Sequence, residues 1–350
     1  MRLKKYVERL KESPQSAVIF GGRGCEASVS GKSAMRFICE AKEAGIELLP
    51  IFINADGAFF IYRGDPEKIG GDRPFPESEL IAAEPTFGGI RVLGEKIVID
   101  TVIPILHGDH GEDGEIQGML SSFGIRYVGA DTVCGAVAAD KIYTKAVASS
   151  FGIPTLPHVL ITSRMTEDEI CRRISEIGYP VFVKPCRLGS SVGAFGARDD
   201  KELITLLLEN LSVAERFMAE PCLLSKRELE CAYFSAAGRT VISAPGEVLC
   251  DGFYDYNLKY SPSGAEIRPI ADVSEKIKST VIGYTSVLAE ALSFGHMARV
   301  DYFLTGDGEI YLNEINTMPG LTSGSLYPLM LRASGVDFAS FIGALLSEGR

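Results

Sequence analysis

A chain of 350 residues, 46% of them apolar, has material for two or three compact domains with substantial cores and a cleft between them. Its formal net charge of -11, with no basic cluster, excludes nucleic acid and anionic membrane surfaces as partners and leaves small molecules. Eight cysteines, at positions 25, 39, 134, 171, 186, 222, 231 and 250, form no C-x-x-C pair. They read as free thiols of a reducing, cytoplasmic compartment rather than as disulfides or zinc ligands.

The opening MRLKKYVERLKESPQ is basic but lacks the apolar core of a signal peptide, and Leu3, Val7 and Leu10 instead predict a short amphipathic helix. No apolar run approaches a membrane span. From Ser16 the chain alternates strand and helix: SAVIF, a glycine-rich turn, a helix near Lys32 to Ala44, then the strands ELLPIFI and IVIDTVIPIL. That alternation predicts an α/β class with an open, mostly parallel sheet covered by helices. Gly64 to Pro85, rich in Pro, Gly, Asp and Glu, reads as a surface excursion. A second unit is expected from near Gly129, with a helix over Ala138 to Phe151, the strand PVFVKP, a glycine-serine loop and a helix over Asp200 to Asn210. A helix over Val273 to Leu292 and a hairpin complete the third, giving spans 1–129, 130–220 and 221–350 without internal repeats.

The hairpin lies in ARVDYFLTGDGEIYLNEINTMPGLTSGSL, 298–326. Thr305-Gly306-Asp307-Gly308 is its turn signal. With a four-residue loop Leu304 faces Glu309, and Arg299, Asp301, Glu314 and Asn316 share a face, with Asp301 and Glu314 as diagonal neighbours roughly 7 Å apart. A three-residue loop flips that parity. The face carries two carboxylates and an amide but no lysine, a set of oxygen ligands suited to Mg2+.

Three glycine-rich stretches compete for a nucleotide phosphate. Gly22 to Ala27 fits G-x-G-x-x-A after a strand, yet the expected acidic residue at the end of the second strand is missing, Asp56 being the first candidate, and Glu26 would repel pyrophosphate. A nicotinamide oxidoreductase is therefore disfavoured. His107 to Gly114 follows a strand at the edge where an open sheet binds ligand, and His107 and Glu112 read as a hydrogen-bonded pair lining a substrate site. Lys184 to Gly193 supplies a cation and exposed backbone N–H groups, which a polyphosphate requires. With Lys141 upstream and the oxygen-rich hairpin downstream, these are the parts for phosphoryl transfer.

At this point the chain resembles the D-alanine:D-alanine ligase family of ATP-grasp enzymes, through seven motifs in the family's order. They are FGGRGCEASVS (20–30), LHGDHGEDGEIQG (106–118), DKIYTK (140–145), VKPCRLGSSVG (183–193), FYDYNLKY (253–260), ARVDYF (298–303) and NEINTMPGLTS (313–323). The resemblance implies an ATP-grasp fold behind a Rossmann-like N-terminal domain, and ATP-dependent ligation of two D-alanines through an acyl phosphate for peptidoglycan precursors. It implies Asp301, Glu314 and Asn316 as ligands of two Mg2+ ions, replaceable by Mn2+, and Lys141, Lys184, Ser191, Leu223 and Lys259 at ATP. Glu220 and Glu228 are similar to the residues that hold the adenine and ribose. Glu26 would face the first substrate's ammonium with His107 nearby, and Ser190 and Tyr260 would bond to Glu26 under a closed aromatic lid. Arg299 and the Gly320 N–H would be the oxyanion donors, and Ser325 with Leu326 the acceptor pocket. A homodimer is expected.

FYDYNLKY also resembles the loop of D-alanine:D-serine ligases, so D-serine is the alternative acceptor; apolar Leu326 favours D-alanine. The lid tyrosine disfavours an ester product. A non-catalytic nucleotide-binding regulator is disfavoured because the whole metal set and Arg299 are kept. Two departures stand out: Ala27-Ser28 where the family usually carries a second Glu, and His296 where a small residue is usual.

Overall fold

The computed structural model describes residues 2–71, 74–223, 225–249 and 266–348. Helix α1 (Arg2–Lys11) precedes β1 (Gln15–Gly21), α2 (Ala27–Glu43), β2 (Leu49–Ile53), β3 (Phe59–Tyr62), β4 (Leu80–Thr86), β5 (Gly89–Val92), β6 (Glu95–Ile105), α3 (Glu115–Ser122) and β7 (Arg126–Tyr127). Strands β1, β2, β6 and β7 pair in parallel, as the alternation predicts. The remaining pairings run antiparallel from β2 through β3, β4 and β5 back to β6, which makes the sheet mixed. The presumed surface excursion at 64–85 is thus partly structural: β4 is a sheet strand, and Ile69 and Phe75 are buried in the core. Its prolines and acids mask a short alternation in which Ile81 and Ala83 are buried while Ala82 and Glu84 are exposed.

Next come α4 (Thr132–Ala139), α5 (Lys141–Ser150), β8 (Val159–Thr162), α6 (Glu167–Ile174), β9 (Val181–Pro185), β10 (Phe195–Ala197), α7 (Asp200–Asn210) and β11 (Arg216–Pro221). The helix expected over 138–151 is broken at Asp140. Its side chain accepts from the Ile142 and Tyr143 N–H groups and so starts a new helix, as an N-cap does. Strands β8 to β11 form a four-stranded sheet in the order β10-β9-β11-β8. Helices α4 and α5 do not join it; Cys134, Ala138 and Ala148 pack with Val300, Leu312 and Ile315 of the last sheet.

That last sheet contains β12 (Lys226–Ala236), β13 (Arg239–Ile242), β14 (Gly246–Leu249), β15 (Glu266–Arg268), β16 (Met297–Thr305) and β17 (Ile310–Asn316), with α8 (Glu275–Leu292) before β16. Helices α9 (Leu326–Ala333) and α10 (Phe338–Ser347) end the chain. One apolar cluster runs from Phe20 and Phe37 of the first lobe to Phe234, Tyr327 and Phe341 of the last, so the two lobes share a core beside the cleft. The seven described cysteines are free thiols. Among the described residues no single helix is long and apolar enough to cross a membrane.

The hairpin departs from the expected register. Thr305 N–H bonds to Glu309 O, Leu304 faces Ile310, and the loop is Gly306 to Gly308, three residues long. That parity would pair Asp301 with Asn313, but a bulge at Asn313 restores the polar set, so Arg299 faces Asn316 and Asp301 lies directly opposite Glu314 rather than diagonal to it. The apolar positions show the slip: Ile310 and Leu312 are two apart, Leu312 and Ile315 three.

Candidate active site

Strand pairing puts three carboxylates in one row across adjacent strands: Glu230 on β12 faces Asp301 on β16, which faces Glu314 on β17. Cross-strand neighbours are roughly 5 Å apart at Cβ, so the row repels itself unless cations intervene. Arg299 supplies one, bonding Asp301 through Nε at 2.8 Å and a terminal nitrogen at 2.7 Å and lying 3.1 Å from Glu230. Burial works against the Arg299 charge, but Asp301 and Glu230 raise its pKa well above the usual value. Asn316 Nδ2 donates to Asp301 at 3.1 Å, and Lys141 Nζ approaches Glu314 at 3.8 Å. The oxygen-rich donor set fits a hard divalent cation.

Facing this row, Lys184 at the end of β9 is held between Glu220 (2.7 Å) and Asn313 Oδ1 (2.9 Å). The other Glu220 oxygen takes Lys145 at 2.8 Å. Burial would push the Glu220 carboxyl up, but the two ammonium groups hold it down at about 2. Glu220 therefore spends its carboxylate on lysines, an arrangement the motifs alone do not reveal. Glu228 pairs with Lys226 at 2.8 Å and lines a cavity of about 270 Å³ with Lys184, Ser191 and Phe303. Leu223 follows β11 and is half-buried. In the loop after β9, Ser190 and Ser191 both adopt the left-handed backbone, at φ 52° and 57°, a costly conformation for non-glycine residues. Lys141 Nζ steadies this loop by donating to Leu188 O at 2.8 Å.

A second cavity, about 1100 Å³, opens from the carboxylate row to α2, lined by Glu26, Ser190, Arg299, Gly320, Ser325 and Leu326. Glu26 occupies the N-cap position of the 17-residue α2 without a side-chain capping bond, at the end where the helix dipole favours a carboxylate. Ser190 Oγ donates to Glu26 Oε1. A side chain at Gly108, which has φ 69°, would run into the other Glu26 oxygen at 2.5 Å, so only glycine lets that loop approach. Ser325 starts α9 and bonds Thr322 Oγ1 at 2.8 Å, while Leu326 is buried with its side chain in the core.

His107 and Glu112 are not bonded to each other, contrary to expectation. Both reach across to one residue of the other lobe: His107 Nδ1 lies 2.9 Å from Met318 O, and Glu112 Oε1 accepts from Met318 N–H at 3.0 Å. Burial lowers the His107 pKa and lifts that of Glu112 to about 8. Sequence reasoning missed Glu230, Lys145 and Ser33. Glu230 left a trace, since RELECAYF alternates charge with apolar residues and repeats an acid at 228 and 230. His296, the second departure, accepts the Gly129 N–H at 3.1 Å. Lys259, Tyr260 and the aromatic lid at 253–260 lie outside the described residues.

Residues 15–130 match the family model described as the D-ala D-ala ligase N-terminus, and residues 147–347 that of the D-ala D-ala ligase C-terminus. The chain is 36% identical over 361 residues to the D-alanine--D-alanine ligase of Mycobacterium ulcerans, which covers 97% of this chain and 96% of that one. To the ligase of Thermoanaerobacter pseudethanolicus it is 34% identical over 351 residues, 96% of each. Among solved structures, the VanG D-Ala:D-Ser ligase from Enterococcus faecalis matches with a TM-score of 0.87 at 29% identity, over 97% of this chain and 100% of that one. The D-alanine-D-alanine ligase from Coxiella burnetii matches at 0.84 and 29%, over 97% and 94%.

Proposed function

We propose a division of labour among these residues on one premise: the chain belongs to the D-ala D-ala ligase family. It is accordingly an ATP-grasp enzyme, an ATP-dependent ligase that forms the carbon–nitrogen bond of D-alanyl-D-alanine for peptidoglycan synthesis. The observation that supports our assignment is the Glu230–Asp301–Glu314 row with Arg299, opposed by Lys184 and opening onto Glu26 and Gly320.

Glu26, steadied by Ser190, holds the ammonium of the first D-alanine. The carboxylate oxygen of that D-alanine attacks the γ-phosphorus of ATP, the bond to ADP breaks, and an acyl phosphate results. Lys141 and Lys184 offset the phosphate charge, and Glu220 and Asn313 fix where the Lys184 ammonium sits. The loop bearing Ser190 and Ser191 turns backbone N–H groups toward the phosphates, while Leu223 and Glu228 border adenine and ribose. Asp301, Glu314 and Asn316 would hold Mg2+, two ions in our reading with Mn2+ as a substitute, whose charge neutralises phosphate oxygens. The free amine of the second D-alanine then attacks the acyl carbon and gives up a proton as phosphate leaves. Arg299 and the Gly320 N–H stabilise the intervening oxyanion.

Ser325 and Leu326 border the acceptor in this reading, Lys259 and Tyr260 close the site, each chain divides into units 1–129, 130–220 and 221–350, and the protein works in the cytoplasm as a homodimer. The metal assignment is tested by Asp301→Ala and Glu314→Ala, each expected to abolish D-alanine-dependent ADP release. Near-normal turnover in both variants would refute it.

A further inference from the structure

We infer that Glu112, Ser33 and His107 are positioning residues for the second chemical step, clamping the Met318–Leu321 backbone so that the Gly320 N–H is aimed at the acyl carbon's oxygen. The need arises from the sequence. An oxyanion donor must be held to within about half an ångström, yet Gly320 is the residue with the greatest backbone freedom and it follows a proline in a loop. Within Thr317-Met318-Pro319-Gly320-Leu321 only Pro319 is locally restricted, at its own φ, which leaves Gly320 without that rigidity.

The other lobe supplies it. Glu112 uses both carboxylate oxygens as acceptors, one from Met318 N–H at 3.0 Å and one from Gly108 N–H at 2.8 Å within its own loop. Thr317 Oγ1 adds a bond to Glu112 O at 3.4 Å. His107 takes the next peptide along: Met318 O is an acceptor only, so His107 Nδ1 must carry the proton, at 2.9 Å. His107 Nε2 is then an acceptor, which sets the direction of the next bond: the Ser33 hydroxyl donates to it at 3.1 Å and in turn accepts from Leu321 N–H at 3.3 Å. Arg36 closes the set by donating to Leu321 O at 3.0 Å. The N–H and C=O of Met318 and those of Leu321 are thus gripped from the first lobe, Pro319 fixes its own φ, and Gly320 lies between fixed ends. One neutral tautomer of His107 satisfies every bond in the chain, and burial favours that neutral form.

This inference rests on the ligase reading and deepens it. The test uses full-length protein with ATP, Mg2+ and D-alanine, with and without hydroxylamine. Hydroxylamine's nitrogen attacks the acyl carbon of an acyl phosphate in water and displaces phosphate, giving a hydroxamate without help from an oxyanion donor. In Glu112→Gln an amide NH2 must face one of two N–H donors, so one bond of the clamp is lost. Dipeptide formation is expected to fall about 10- to 100-fold, in line with loss of an oxyanion donor, while hydroxamate yield and the KM for ATP stay within about threefold. Ser33→Ala, the milder change, should show the same split at about tenfold, and decides the matter if Glu112→Gln does not fold. Dipeptide formation within twofold of wild type in Ser33→Ala, or hydroxamate and dipeptide falling together, overturns the clamp. Absence of both products in the wild-type protein would instead overturn the ligase reading.

Discussion

Glu220 shows how a single residue can order a site through the side chains it pairs with. Its folded pKa of about 2 lies below the unfolded value near 4.5, because Lys184 and Lys145 outweigh the cost of burial. A depressed carboxylate contributes stability in full above the unfolded pKa and loses it as pH falls through the folded one. Urea unfolding of the wild type should therefore weaken steeply between pH 4.5 and 2, and Glu220→Gln should flatten that limb; parallel curves would remove Glu220 from the ion-pair network. Leu326 makes the complementary argument in the proposed acceptor pocket. A D-serine hydroxyl left without a partner there costs about 1–3 kcal/mol, so kcat/KM should favour D-alanine over D-serine by about tenfold or more. A preference for D-serine would contradict this assignment.

Two elements depend on one residue each. Asp140 caps α5 through its Oδ1 and holds Arg187 and Arg216 through its Oδ2, at 3.2 and 2.6 Å. Asp140→Ala should lower unfolding free energy by about 1–2 kcal/mol and, by releasing Arg187 beside the Ser190–Ser191 loop, raise the KM for ATP; a change in neither would dismiss the cap. At the hairpin, Asn313 is both the bulged residue and an acceptor for Lys184. The polar face was legible because charge alternates along β16 and β17, and the helices of 200–210 and 275–292 were legible from their caps and periodicity. The loop length was not, since Thr-Gly-Asp-Gly admits three- and four-residue turns, and one-residue parity errors are repaired by a bulge that only pairing with β16 reveals. Asp140 was missed as a helix break because its cap bonds compete with a continuous apolar pattern. The His107–Glu112 error has the same origin: five residues of sequence separation invite a local pair, whereas their real partner is Met318, brought close by the tertiary fold.

At the scale of the molecule, the cleft lies where the first lobe meets the last, and the shared core of Phe20, Phe37, Phe234, Tyr327 and Phe341 fixes that meeting. The lysine-bearing sheet of β8 to β11 supplies the opposing wall through Lys184 and the Ser190–Ser191 loop. In the proposed division of labour the three sheets bring one ingredient each: Glu26 for the first substrate, Lys184 for phosphate, and the Glu230–Asp301–Glu314 row with Arg299 for metal and oxyanion. The account stands on all three acting in one reaction, which phosphate release measured with ATP, Mg2+ and a panel of D-amino acids and D-lactate tests directly. It predicts release that depends on D-alanine and matches D-alanyl-D-alanine formed one for one, with D-lactate giving little. Release independent of D-alanine, or none, would contradict it.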